Sequence, residues 1–239
     1  MPMSPLIRRP ALLDGRATDP YFDKVSLLLP MSGADGSTSF VDKSKNALTV
    51  TPAGNAQIST AQSPFAGGSS AYFDGVNDGL TIPATNLLEF GTGAFTVEAW
   101  LYITAAPSSI AQVVGRHQSN VNADWLVYVR ANRGLTLYLG NSGGLTLDGS
   151  SIIPLNTWTH IAVARQVNTC YVFINGALDV SASFAGSSEN GTGGTFNIAA
   201  DQNNDQVNFT GYISSLRVTK GIARYTSNFN PPTRRFPTV

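Results

Sequence analysis

The sequence predicts an all-β protein in which two antiparallel sheets pack face to face as a sandwich. Short runs of alternating polarity recur along the chain from residue 25, whereas no stretch keeps the 3.6-residue periodicity of a helix. Gly, Ser and Asn stand between these runs, at the positions where turns are expected. Charged residues make up only 13% of the 239 residues and aromatic residues 10%, which excludes a coiled coil and a charged disordered tail.

The clearest predicted strand covers residues 95–103, where side chains alternate between two faces. One face receives five apolar side chains, Phe95, Val97, Ala99, Leu101 and Ile103. The opposite face receives Glu98, Trp100 and Tyr102. Similar runs predict strands at residues 110–114, 125–130, 135–139, 158–164, 170–174 and 212–218. Asn175 and Gly176 mark a two-residue hairpin turn, and residues 86–90 predict a single helical turn.

Both ends of the chain differ from the predicted sandwich. Residues 1–22 contain four prolines, which fix φ and remove backbone donors, so we expect an extended arm there. We assign residues 23–230 to one sandwich domain and residues 231–239 to a C-terminal tail. Both ends combine apolar residues with an arginine pair, and this composition predicts docking on neighbouring subunits through Arg8, Arg9, Arg234 and Arg235.

Charge and cysteine content exclude several classes of protein. Lys and Arg number 15 and Asp and Glu number 15, so the net charge of zero predicts no binding to nucleic acid or to an anionic membrane. No apolar run is long enough to span a bilayer, and none near the start has the length of a signal peptide. The single cysteine, Cys170, excludes an intramolecular disulfide and is predicted to be a small buried hydrophobe.

Five short motifs follow one another along the predicted domain, which they cover over roughly residues 25–230. They are F-D-G-x-x-D within residues 71–82, FTVEAW at 95–100, W-x-H-h-A-h at 158–163, h-Y-h-N-G at 171–176 and a closing strand at 211–218. Together they resemble the laminin-G-like, concanavalin A-like jelly rolls. The resemblance implies an antiparallel two-sheet jelly roll, a fold that carries hydrolases, lectins and adhesion modules alike.

The closing segment, residues 217–232, reads R-V-T-K-G-x-A-R-Y-T-x-x-F-x-P-P. This ending is similar to laminin-G-like domains in structural proteins of tailed bacteriophages. The resemblance implies a virion component made in the host cytoplasm, either a capsid decoration protein or a tail-associated part. Other virion proteins would then be its partners, and a closed homo-oligomer such as a trimer would fit that role.

Residues for catalysis are scarce, and we predict no enzymatic activity. Glycoside hydrolysis needs two carboxylates that converge on one bond. Of the three glutamates, Glu89, Glu98 and Glu189, none has an acidic residue two positions away. His117 and His160 are the only histidines, and no G-x-S-x-G nucleophile elbow accompanies them.

An oxygen-rich loop lies just before the final strand. Asp201, Asn203 and Asp205 supply the carboxylate and amide oxygens that Ca²⁺ prefers, so calcium is the cofactor to test, with a solvated turn as the alternative. The resemblance adds that laminin-G-like folds bind a calcium ion at the rim through such groups. A second turn, with Asp74, Asn77 and Asp78, is explained by its tight hairpin.

Two functions remain open from the sequence. The first is a non-enzymatic virion protein that docks through its arms. The alternative is an adhesion module that recognises host surface polysaccharide, with a shallow sugar site formed by Asn122, Asp124 and Trp125 and by the nearby Tyr128 and Tyr138. Such aromatics also fill sandwich cores, and we assign Trp100 and Trp158 to the core.

Overall fold

The structure, a computed structural model, describes residues 12–13, 16–118, 122–140, 144–188, 194–200 and 208–239. For residues 12–13, 16–17, 117–118 and 122–123 it describes the backbone alone. The strands are β1 Leu12–Leu13, β2 Arg16–Ala17, β3 Val25–Leu29, β4 Thr51–Ala53, β5 Gln57–Ser59, β6 Ser70–Asp74, β7 Gly79–Ile82, β8 Phe95–Ile103, β9 Ile110–Gln118, β10 Asn122–Arg130, β11 Gly134–Leu139, β12 Leu145–Ile152, β13 Thr159–Gln166, β14 Thr169–Ile174, β15 Ala177–Ser183, β16 Phe196–Ile198 and β17 Thr210–Lys220. Two 3₁₀ helices cover Phe22–Lys24 and Asn86–Leu88, and the described part of the chain contains no helix with the length and apolarity to cross a membrane.

Two antiparallel sheets contain all of these strands except the β1–β2 pair. The seven-stranded sheet has the order β12-β11-β10-β9-β16-β7-β4. The eight-stranded sheet has the order β15-β14-β13-β8-β17-β6-β5, and β3 also pairs with β17. The inner faces of both sheets build one apolar core. This architecture confirms the predicted all-β, two-sheet antiparallel sandwich.

Strand β8 lies in the middle of the eight-stranded sheet, between β13 and β17. Its five odd-numbered side chains are buried in the core, as their alternation predicts: Phe95, Val97, Ala99, Leu101 and Ile103. On the outer face of the same strand, Trp100 and Tyr102 are partly exposed, but Glu98 is fully buried. Another part of the chain must therefore cover the outer face of the sheet at Glu98.

The C-terminal segment, residues 221–239, provides this cover. After β17 the chain turns back, and the backbone N–H of Phe229 donates to the carbonyl of Gly176 at 2.8 Å. The segment then crosses the sheet to the opposite side. There the Arg235 guanidinium donates to the carbonyls of Pro30, at 3.2 Å, and Ser69, at 3.1 Å. We call residues 221–239 the tail strap, because they are fastened at both sides of the sheet.

The β14–β15 turn shows why the strap can pass so closely. Asn175 and Gly176 have φ values of 49° and 77°, as the predicted hairpin turn requires. A Cβ at residue 176 would also collide with the carbonyl of Phe229. Gly176 is thus needed both for the turn and for the approach of the tail strap.

Phe236 anchors the end of the tail strap. Its ring is buried in a small apolar cluster with Val25 and Leu28, outside the main core. The guanidinium carbon of Arg217 lies 3.7 Å from the ring centroid, within the range of a cation–π contact. The end of the chain is therefore held by apolar burial and by a cation at the same time.

One of the two C-terminal arginines that we predict to dock on neighbouring subunits, Arg235, is engaged within its own domain, because its guanidinium satisfies the carbonyls of Pro30 and Ser69. The other, Arg234, is exposed, and docking through it stays a prediction. Arg8 and Arg9 lie outside the described residues, so docking through the N-terminal arm stays a prediction.

We expect Phe236→Ala to destabilise the isolated protein by about 3 kcal/mol, because the substitution removes a buried aromatic ring. Urea denaturation followed by fluorescence measures this loss, and Val239→Ala, at a residue that is 55% exposed, is the control. An unchanged urea midpoint for Phe236→Ala would show that the tail strap does not pack on its own domain in solution.

Candidate functional site

The centre of the covered face is a buried carboxylate with several partners. One oxygen of Glu98, Oε1, accepts hydrogen bonds from the Nη2 and Nε atoms of Arg217 at 2.7 and 3.0 Å. The other oxygen, Oε2, accepts a hydrogen bond from the hydroxyl of Tyr225 at 2.9 Å and lies 3.4 Å from Nε2 of His160. Both oxygens of Glu98 are thus engaged.

A second carboxylate extends this group. Asp19 accepts hydrogen bonds from Arg217 at 2.9 Å and from two nitrogens of Arg224 at 2.9 and 2.7 Å. Burial alone raises the pKa of Glu98 and of Asp19, but the neighbouring arginine charges and hydrogen bonds outweigh it and hold both pKa values below their ordinary range. Both groups are therefore held as anions, whereas a general acid needs a proton to give.

The tail strap supplies two members of this buried group. Arg224 and Tyr225 lie within residues 221–239, whereas Glu98, Arg217 and His160 lie on the sheet. The R-V-T-K-G-x-A-R-Y ending of the sequence is thus explained by packing, because its arginines and tyrosine satisfy buried carboxylates. This ion network holds the fold together and does not present a reactive group to solvent.

Beyond the strap, the same outer face carries a row of aromatic side chains. Tyr72, Tyr212 and Tyr102 lie directly opposite one another on β6, β17 and β8. Trp158 continues the row, since Thr159 pairs with Leu101 at the start of β13. The ring centroids of successive members are 5.0, 5.8 and 5.5 Å apart. We call these four residues the aromatic row.

Every member of the aromatic row is partly exposed to solvent, although each lies on a strand or beside one whose neighbouring residues are buried. Gln57, also partly exposed, pairs with Tyr72 and places an amide at the end of the row. Burial and the adjacent phenols of Tyr72 and Tyr102 raise the pKa of Tyr212, so this hydroxyl keeps its proton at neutral pH.

The residues predicted to form a sugar site lie elsewhere and do not form one together. Trp125 is 0% exposed, its ring stacks on Phe90 with centroids 4.8 Å apart, and its Nε1–H donates to the Leu88 carbonyl at 2.7 Å. Asp124 is buried and paired with Arg116. The predicted platform at Trp125 is therefore wrong, because this ring fills the core.

The other aromatic residues of the predicted sites lie on the outer faces of the two sheets. The assignment of Trp158 and Trp100 to the core is corrected, since both lie on the outer face and are partly exposed. Tyr128 and Tyr138 project from the outer face of the seven-stranded sheet, where they are partly exposed. The side chain of Asn122 lies outside the described residues.

The outer face of the seven-stranded sheet carries more polar side chains than the aromatic row of the other sheet does. Gln112, Tyr128, Thr136 and Asp148 lie opposite one another on four adjacent strands. The hydroxyl of Thr136 donates to Asp148 at 2.6 Å, and Gln112 is fully buried. Among the residues that the structure describes, this face carries hydroxyl, amide and carboxylate groups and no contiguous run of rings.

The predicted calcium site stays a prediction, and the single cysteine is a buried apolar residue. The calcium loop, with Asp201, Asn203 and Asp205, lies outside the described residues. Among the residues that are described, no group of three His, Cys, Asp or Glu side chains is placed to hold a metal ion. Cys170 is fully buried, as predicted, and burial raises the pKa of its thiol to about 11, so it is not a reactive nucleophile.

Two packed antiparallel sheets with one shared core define the class of this protein as a jelly-roll sandwich. Residues 73–222 match a laminin G family model of the concanavalin A-like lectin/glucanases superfamily. The chain therefore belongs to this superfamily. A search of curated proteins found no match.

Solved structures of the same fold include three informative examples. The binding domain of Paraclostridial Mosquitocidal Protein 1 has a TM-score of 0.65 at 14% identity, over 85% of this chain and 51% of that one. Domain 4 of the arabinanase AbnA from Geobacillus stearothermophilus, in complex with arabinotriose, has a TM-score of 0.62 at 20% identity, over 84% of this chain and 94% of that one.

The third example is from botulinum neurotoxin type C, whose entry into cells depends on interaction with two ganglioside molecules. Its TM-score is 0.62 at 14% identity, over 85% of this chain and 50% of that one. The chain thus spans about half the length of the toxin structures it matches and nearly all of the arabinanase domain. At these identities the similarity establishes the fold.

We expect Glu98→Ala to destabilise the protein by about 3–5 kcal/mol, because it leaves the buried Arg217 without its main counter-ion. The exposed pair of Asp23 and Lys24, 3.8 Å apart, supplies a matched control, and Asp23→Ala should cost less than about 1 kcal/mol. Chemical denaturation of both variants measures the difference. Equal, small effects would show that the Glu98 network contributes little to stability.

The stability of the protein should fall in acid. A carboxylate whose pKa is lowered in the folded state stabilises the fold above its ordinary pKa of about 4 and loses that contribution as the pH falls below it. We expect a loss of at least about 1 kcal/mol in the free energy of unfolding between pH 6 and pH 3, because each unit of lowered pKa contributes about 1.4 kcal/mol. Glu98→Gln should flatten this dependence in urea titrations, and an equally steep dependence in the variant would contradict the assignment.

Proposed function

We propose that this domain is a non-catalytic carbohydrate-binding module, and that the aromatic row is its binding surface. The observation that carries the proposal is the alignment of Tyr72, Tyr212, Tyr102 and Trp158 in one contiguous, partly exposed row. Four aromatic side chains on the outer face of a sheet are apolar surface that the fold has not buried.

The chemistry of this row suits a sugar. Aromatic faces pack against the C–H groups of a pyranose or furanose ring, and they do so without a large entropy loss because the rings are already held in place. Three phenol hydroxyls and the amide of Gln57 can then exchange hydrogen bonds with sugar hydroxyls. A few polar groups within an apolar surface are typical of small-molecule sites.

The comparisons support a binding role. The arabinanase domain with the same fold was solved with arabinotriose bound, and the type C neurotoxin depends on ganglioside molecules. Both carboxylate oxygens of Glu98 accept hydrogen bonds within the domain, so they are not free to act on a substrate. This agrees with a domain that binds a ligand without catalysing a reaction. Host surface polysaccharide is the ligand that we propose.

The resemblance of residues 217–232 to phage proteins supports a location for this module. In this proposal the domain is displayed on a virion as a capsid decoration or tail-associated part, in a homo-oligomer, and there it contacts the host. The arginines and tyrosine of that ending are used within the domain, so any contact with other virion proteins would have to come from other surfaces.

Removal of one ring from the aromatic row should weaken glycan binding about tenfold, because an aromatic contact contributes about 0.5–1.5 kcal/mol beyond the area that it buries. Trp158→Ala and Tyr212→Ala are the test variants, and isothermal titration with a glycan selected from an array is the measurement. Tyr138→Ala, a partly exposed tyrosine on the other sheet, is the matched control.

Thermal denaturation must first show that the variants are folded. Tyr212→Phe keeps the ring and should keep most of the affinity. If Tyr138→Ala loses binding while Trp158→Ala does not, the binding surface lies on the seven-stranded sheet and the proposal for the aromatic row fails.

A further inference from the structure

Resting on the proposed function, we propose that the aromatic row selects a single, uncharged, linear polysaccharide chain that lies across the strands, with one sugar unit over each ring. Three properties of the row carry this inference. They are its spacing, the turn from one ring to the next and its lack of charge.

The spacing of the row follows from the sheet. Each ring sits on a different strand, and neighbouring strands in a sheet lie about 4.8 Å apart. The ring centroids accordingly repeat at 5.0, 5.8 and 5.5 Å. This repeat is close to the length of one sugar unit in a linear polysaccharide, so consecutive sugars can meet consecutive rings. A branched or globular glycan would meet one or two of them.

The rings do not share a plane. The interplanar angle is 44° between Tyr72 and Tyr212, 79° between Tyr212 and Tyr102, and 54° between Tyr102 and Trp158. The four rings thus form no flat platform for the surface of a crystalline polymer. A single polysaccharide chain in solution can twist, so that successive sugar rings face in different directions. Such a chain can place one sugar face on each of the four differently oriented rings.

The row itself contains no ionised side chain, since its members are three tyrosines, one tryptophan and the adjacent Gln57. Among the described residues, two charged groups lie on either side of it, Asp74 and Arg235. Asp74 lies two residues from Tyr72 on the same face of β6, where its carboxylate accepts hydrogen bonds from the backbone of Val76 and the side chain of Asn55.

On the other flank, the Arg235 guanidinium donates to the carbonyls of Pro30 and Ser69 and to the Ser69 hydroxyl. This cation is thus used by the tail strap, while the carboxylate of Asp74 would repel an anionic sugar. Recognition of sialic acid, uronic acid or sulfate normally uses a free arginine or lysine. The balance of charge at the row favours neutral sugars.

The experiment measures binding of the purified full chain to three groups of glycan. The first comprises soluble neutral polymers such as arabinan, xylan, mixed-linkage glucan and neutral bacterial capsular polysaccharides. The second comprises acidic glycans such as polygalacturonate, hyaluronan and a sialylated ganglioside oligosaccharide. The third is crystalline cellulose. Each titration is repeated in about 1 M salt, where screening acts over about 3 Å.

We expect at least tenfold tighter binding to a soluble neutral polymer than to any acidic glycan, with an affinity that salt leaves within about twofold. With oligosaccharides of the bound polymer, affinity should rise with length up to four sugars and then level off. Tyr72→Ala, which removes a terminal ring, should move this limit to three sugars. Tyr138→Ala, at a partly exposed tyrosine on the other sheet, should leave it unchanged.

The outcomes separate this inference from the proposed function. Preference for an acidic glycan, with affinity lost in high salt, or preference for crystalline cellulose would overturn the selection while the module remains a carbohydrate binder. A length limit unaffected by Tyr72→Ala would overturn the assignment of one sugar to each ring. No binding to any of the three groups would overturn both proposals.

Discussion

The buried carboxylate of Glu98 is the constraint on which the arrangement of the eight-stranded sheet depends. An anion in the middle of a sheet face, away from water, is tolerated only when charged and polar partners surround it. Arg217 comes from the neighbouring strand, but Tyr225 comes from the tail strap. The fold therefore satisfies Glu98 only when the C-terminal segment lies across the sheet.

This requirement divides the outer face of the sheet into two parts. Under the strap lie the ion network and the apolar cluster of Phe236, which hold Asp19 and the C-terminal segment to the domain. Further along β8 the tail strap no longer covers the outer face, and Trp100 and Tyr102 are partly exposed. The stabilising surface and the proposed binding surface are thus consecutive parts of one sheet.

Much of the architecture could be predicted from local patterns, but the candidate site could not. The alternation in residues 95–103 places Trp100 and Tyr102 on the face opposite the core. The size of a tryptophan side chain nevertheless favours burial in the core, and this preference gives the wrong result for Trp100 and Trp158. For Trp125 the error is the opposite, because the sequence predicts a surface position and the ring is buried. Trp125 follows polar residues that are typical of a surface loop, but its ring fills the space between the sheets beside Phe90.

The sequence by itself determined the class of fold, the core face of β8 and the hairpin at Asn175 and Gly176, because each depends on residues that are neighbours in the chain. Only the tertiary structure decided that Tyr72, Tyr102 and Tyr212 stand side by side. These residues are far apart in sequence, and their meeting depends on the pairing register of three strands. Alternation tells which face a side chain occupies, but not which residue lies opposite it or what covers it, since both are set by long-range packing.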